Sequence, residues 1–118
     1  MHRINSVLFK FKCAFKGLFI AFTSDNSFKI HFAATISVIF SAILLEFSKS
    51  DWMIIILLIG LVLVAELFNT AIEFLVKLFT DDYHELAEKI LDISAGAVLL
   101  SVIISIIIAV FIYLPYLL

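Results

Sequence analysis

Apolar positions run in long blocks along this chain, and the polar residues between them fall in short clusters. From about Val7 to Phe22 the apolar residues recur at helical spacing: Phe11, Phe15, Leu18 and Phe22 stand at i, i+4, i+7 and i+11. Lys10, Lys12 and Lys16 flank that stripe, and Ile20 falls opposite it. The pattern predicts an amphipathic helix lying in a membrane interface, with its aromatic side toward lipid and its lysines toward headgroups. The polar break TSDNS, residues 23–27, offers Ser or Asp to cap a following helix. A first membrane span is then expected from about Phe28 to Phe47. After the short polar loop EFSKSDW, with Trp52 as an interface anchor, the second apolar block runs from about Trp52 to Phe79. That block is longer than the roughly 20 residues a bilayer core requires, so its later part is expected to leave the hydrocarbon. The polar TDDYHELAEK connects to a third span, about Ile90 to Tyr113, closed by Pro115 and Tyr116. No internal repeat or composition break divides the chain, which reads as one domain over residues 1–118.

Composition turns this pattern into a class. Of 118 residues, 64% are hydrophobic and 15% charged, outside the range of soluble globular domains and in keeping with an all-α integral membrane protein. So short a chain buries little surface across several spans, and packing against copies of itself is the expected remedy. No basic run suggests nucleic acid. Cys13 is the only cysteine, so it forms no internal disulfide. The lysine-interrupted N-terminal segment lacks a small-residue cleavage pattern and is expected to be retained. Arg3, Lys10, Lys12, Lys16 and Lys29 precede the first span, whereas Lys49 alone follows it, which predicts a cytoplasmic N-terminus. Three spans then place the Thr80–Lys89 connection on the same side and the C-terminus outside.

Against this background the polar residues of the second block are costly. At about 100° per residue, Glu66, Asn69, Glu73 and Lys77 fall within an arc of about 80°. A carboxylate near the bilayer centre costs on the order of 3 kcal/mol on insertion scales, so such a group is expected to face protein or a watery cavity and to serve a function. Glu85, Glu88 and Asp92 form a comparable face at the start of the third span, and Ser94, Ala95, Gly96 and Ala97 are small enough for a neighbouring helix to approach closely. Asp25 lies on the same side. Carboxylates gathered at one membrane surface suit Mg²⁺ shared with phosphates. A deeper glutamate suits a base that takes a proton from a lipid hydroxyl. The chain has no Walker loop, no G-x-G-x-x-G and no H-E-x-x-H. His2 and His31 have no partner that the sequence identifies, and Ser101 and Ser105 are expected to bond back to helix carbonyls.

The stretch AELFNTAIE, residues 65–73, followed by a polar loop and YHELAEKILDISAGAVLL, residues 83–100, resembles the prokaryotic diacylglycerol kinase and undecaprenol kinase family. The likeness extends through AFKGL, SFKIHF and SDWMIIILLIGLVLV to nearly the whole chain, and IHF with AELFNTAIE is closer to the undecaprenol branch. The resemblance implies a homotrimer of three-span subunits with a surface helix, in a bacterial cytoplasmic membrane. It implies transfer of the γ-phosphate of Mg·ATP to the hydroxyl of a membrane lipid, undecaprenol first and diacylglycerol next. By position it makes Glu66 the general base, and Glu73 and Asp25 the metal ligands. It puts Glu66, Asn69 and Ala95 at the lipid, and Asp25, Glu73, Lys77, Asp82, Tyr83, His84 and Asp92 at the nucleotide.

Two departures matter. Leu91 stands where the family carries a lysine before Asp92, and Lys77 where it carries an aspartate. Either Lys77 supplies from the second span the charge that Leu91 no longer supplies from the third, or the chain is a weak or inactive relative that binds lipid or metal. Lys77 reaching to headgroups is the plainer structural reading.

Overall fold

The computed structural model describes residues 6–118; His2 and Arg3 lie outside the described residues. The chain forms α1 (Val7–Ser24), α2 (Asn26–Leu44), α3 (Lys49–Phe79) and α4 (Glu85–Leu117). The last three are long and apolar enough to cross a membrane. Each helix begins on a polar side chain that accepts an otherwise orphaned backbone N–H. Ser6 Oγ accepts from Phe9 N at 3.0 Å, Asp25 Oδ1 from Ser27 N at 2.9 Å, Ser48 Oγ from Asp51 N at 3.2 Å and His84 Nδ1 from Leu86 N at 3.2 Å.

The turn between α2 and α3 is set by Glu46, whose φ of 56° is left-handed. Phe47 N donates to Ala42 O at 3.1 Å and Glu46 N to Ile43 O at 3.2 Å, the paired bonds of a Schellman ending. For this reason α2 stops at Leu44, and residues 45–47 form the turn instead of the end of a span. Phe47 then drops into the interior, 6% exposed, stacked on Tyr116 with ring centroids 4.7 Å apart and edge-on to Tyr113 at 5.1 Å. Ala42, Ile55, Leu58 and Ile112 complete this cluster, and Trp52 packs against it. The Tyr116 hydroxyl donates to Asp51 Oδ2 at 2.6 Å and accepts from Ser48 N at 2.9 Å, while Ser41 Oγ and Tyr113 Oη share a hydrogen bond. Pro115, expected to close the third span, sits inside the last turn of α4. Its missing N–H removes one late helical bond, and Leu118 N still donates to Leu114 O at 3.0 Å, so the helix runs on to Leu117.

α4 lies along α3, α2 packs on α3, and α1 touches α2 and α3 near its C-terminal end, where Ala21 is buried. The stripe side chains Phe11, Phe15 and Leu18 are exposed, and Phe22 makes edge-on contacts with Phe28 and Phe32 that fasten α1 to α2. The molecule is a slab of 54 × 40 × 19 Å whose wide faces are largely apolar and exposed, as a bilayer or a second copy would require.

Candidate active site

Midway along α3 the interior changes from apolar to polar. Glu66 is 2% exposed, Asn69 9% and Thr70 6%, so the deepest acid of the chain is enclosed by protein. Helical spacing puts Thr70 one turn beyond Glu66, and its hydroxyl reaches the Glu66 carbonyl at 3.0 Å. The same hydroxyl donates more closely to Asp25 Oδ2, at 2.6 Å. Asn69 Oδ1 accepts from Ser94 Oγ of α4 at 2.7 Å, and Ser94 is itself buried. From α2, His31 Nε2 lies 3.2 Å from Glu66 Oε1. Glu66 Oε2 is buried and receives no hydrogen bond from a donor among the described residues, while the Asp25 and Asn69 side chains also interact with this carboxyl. One carboxyl oxygen thus meets His31 and the other is left without a donor, an arrangement that a buried acid tolerates poorly unless a further donor arrives.

Asp25 closes the site at the α1–α2 junction. It ends α1, caps α2 and is tied to α3 through Thr70, so three helices converge on one carboxyl. Partial burial works to raise its pKa, but hydrogen bonding from Thr70, from the Glu66 carboxyl and from the amides of Ser27 and Phe28 outweighs this and holds it below the usual carboxylate range. It is therefore an anion at neutral pH.

Toward the ends of α3 and α4 the polar face opens into a cleft of about 540 Å³. Glu73, Lys77, Thr80, Asp81, Asp82, Tyr83, His84, Glu88, Leu91 and Asp92 line it. The Lys77 ammonium lies 5.9 Å from the centroid of the Phe74 ring, and Tyr83 Oη donates to Glu88 Oε1 at 3.0 Å. Asp82 N donates to Thr80 Oγ1 at 3.1 Å, which shapes the loop. His84, with Nδ1 used as the cap of α4, is part of the cleft lining.

In the other direction an apolar cavity of about 200 Å³ lies between α2, α3 and α4. His31 forms part of its wall with Thr35, Val38, Ile55, Leu58 and Ala109. Ser105 Oγ is buried there without a hydrogen-bond partner among the described residues, whereas Ser101 Oγ donates back to Val98 O at 2.7 Å. A second groove runs between α1 and α3 past Gly17, Ala21, Leu67, Thr70 and Phe74.

The structure therefore gathers Glu73, Lys77, Asp82, Tyr83, His84 and Asp92 around one cleft, and puts Glu66 and Asn69 deeper on the same helix. Asp25 stands apart from the cleft lining, next to Thr70. Ala95 is exposed, and the α4 residue that meets Asn69 is Ser94. Sequence reasoning left His31 without a partner and passed over Thr70. The sign for His31 was its place inside an apolar span, where an ionisable ring is expensive. Among the described residues no three His, Cys, Asp or Glu side chains converge as a ready metal cage.

Comparison with known proteins adds the last element. Residues 12–113 match the family of prokaryotic diacylglycerol kinases. The chain is 40% identical over 114 residues to the undecaprenol kinase of Bacillus subtilis, covering 97% of this chain and 93% of that one. It is 38% identical over 114 residues to the diacylglycerol kinase of Synechocystis, covering 96% of this chain and 65% of the relative. The diacylglycerol kinase of Escherichia coli K12 is 29% identical over 94 residues, 80% of this chain and 77% of its own. A buried carboxyl beside a polar cleft, on a three-span scaffold that matches almost end to end, leads to one conclusion: this chain belongs to the prokaryotic diacylglycerol kinase family of membrane proteins.

Proposed function

We propose that the protein phosphorylates a membrane lipid alcohol with ATP, undecaprenol being the favoured substrate and diacylglycerol the second. The observation that carries this reading is the bare Oε2 of Glu66, enclosed in protein between an apolar cavity and a polar cleft. A hydroxyl is the donor that this oxygen lacks. The lipid oxygen attacks the γ-phosphorus as its proton passes to Glu66 Oε2, the bond from that phosphorus to the β,γ-bridging oxygen breaks, and ADP leaves. Most of the rate gain in such a transfer comes from position and charge neutralisation. The lipid tail lies against the apolar walls, with Ala95 on the exposed flank of α4 as a further contact.

The nucleotide occupies the cleft, its phosphates toward Lys77 and the α3 end of the site. Lys77 and Leu91 line the same cleft, which supports a phosphate donor carried on α3 in place of one on α4. Asp25 and Glu73 carry hard carboxylate oxygens of the kind Mg²⁺ takes, and would hold it with phosphate and water in the remaining positions. When bound, it neutralises phosphate charge.

Lys10, Lys12, Lys16 and Lys29 before the first span, against Lys49 alone after it, support a cleft on the cytoplasmic side of a bacterial inner membrane, with the C-terminus outside. A homotrimer would cover part of the exposed apolar surface of a slab only 19 Å thick. Purified protein supplied with radiolabelled ATP and micelles of undecaprenol, diacylglycerol or no lipid tests the proposal. Labelled lipid is expected in the first and, more slowly, in the second. Label in neither would overturn it.

A further inference from the structure

We propose that His31 is a positioning residue for Glu66, holding Oε1 so that Oε2 faces the incoming lipid hydroxyl. The proposal rests on the reading of Glu66 as the base. Three observations lead to it. His31 Nε2 is within hydrogen-bonding reach of Oε1, at 3.2 Å, and belongs to a different helix from Glu66. The other oxygen, on the same carboxyl, receives no hydrogen bond from a donor among the described residues. The imidazole also forms part of the wall of the apolar cavity, so it stands where a lipid tail and the carboxyl meet.

A glutamate on a helix has freely turning terminal torsions, and burial alone leaves the carboxyl plane undetermined. Contact from a second helix at one oxygen fixes that plane. The Asp25 and Asn69 side chains interact with the carboxyl as well, whereas the Thr70 hydroxyl bonds the backbone carbonyl of Glu66 and the side chain of Asp25. Ser94 is engaged with Asn69. His31 meets one carboxyl oxygen, and the other, which no donor among the described residues reaches, is left for a ligand hydroxyl. Misplacing a reacting group by about 1 Å lowers rates by up to about 100-fold.

The test compares His31→Phe and His31→Leu, which keep bulk without a donor, with His31→Gln, whose amide nitrogen can stand where Nε2 stood. Lipid phosphorylation is measured with Mg·ATP and undecaprenol in mixed micelles, with Glu66→Gln alongside. The donor-free variants are expected to lose about 10- to 100-fold in kcat with KM for Mg·ATP within about twofold, and Gln to recover most of the rate. Wild-type kcat in either donor-free variant, or no recovery by Gln in protein that unfolds at the wild-type temperature, overturns the assignment. A readout that needs no His31 variant is the imidazole ¹⁵N resonance of labelled protein. It is expected to move when Glu66 becomes Gln, and an unmoved Nε2 signal overturns the contact. If Glu66→Gln retains activity, the base reading fails; if it is inactive while His31→Phe is fully active, only the role of His31 fails.

Discussion

Thr70 Oγ1 donates to Asp25 Oδ2 at 2.6 Å, joining the α1–α2 junction to the second span one helical turn from Glu66. The bond fixes the Asp25 carboxylate relative to the buried acid. It also locks the surface helix to the site, because Asp25 is both the end of α1 and the cap of α2.

Thr70→Val keeps the shape and removes the donor. A hydrogen bond to a charged group contributes about 1.5–3 kcal/mol, so the Asp25 carboxylate should lose its fixed position. The expected result is a rise of about tenfold or more in KM for Mg·ATP, with KM for the lipid changed little. Steady-state kinetics with each substrate varied in turn checks this.

Lys77→Met tests the relocated phosphate donor. With the ammonium gone from the cleft, KM for ATP is expected to rise about tenfold, an energy typical of one charge-assisted contact. Adding Leu91→Lys to that variant should recover most of the loss, since both side chains line one cleft. Full activity in Lys77→Met would exclude the role of Lys77.

The left-handed Glu46 supplies a stability prediction at the far end of the molecule. A residue with a Cβ at φ 56° carries about 1 kcal/mol of strain that glycine does not. Glu46→Gly is expected to raise the thermal midpoint in detergent by a few degrees and leave phosphorylation unchanged, because the turn is remote from Glu66. Tyr116→Phe should act in the opposite direction, losing the hydroxyl shared by Asp51 and Ser48.

What could be read from the residues alone was whatever repeats along one helix. The stripe Glu66, Asn69, Glu73 and Lys77 follows from the helical period, and three membrane helices follow from block length and hydropathy. Relations between helices were hidden, because they depend on how α2 and α4 are rotated against α3. His31 therefore looked unattached, and Ser94 looked merely small. Thr70 escaped notice because threonine inside a span ordinarily bonds its own helix, which it also does here. The turn at Glu46 was missed because a left-handed ending usually announces itself with glycine.

The central claim concerns one oxygen of one side chain. Glu66→Gln is nearly isosteric and keeps a polar group in the pocket, but it cannot take a proton from an alcohol at neutral pH. General-base catalysis contributes about 100- to 10,000-fold, so transfer of label from γ-labelled ATP to undecaprenol should fall by at least that lower bound in folded protein with ATP binding preserved. Labelled lipid accumulating at the wild-type rate would contradict the account.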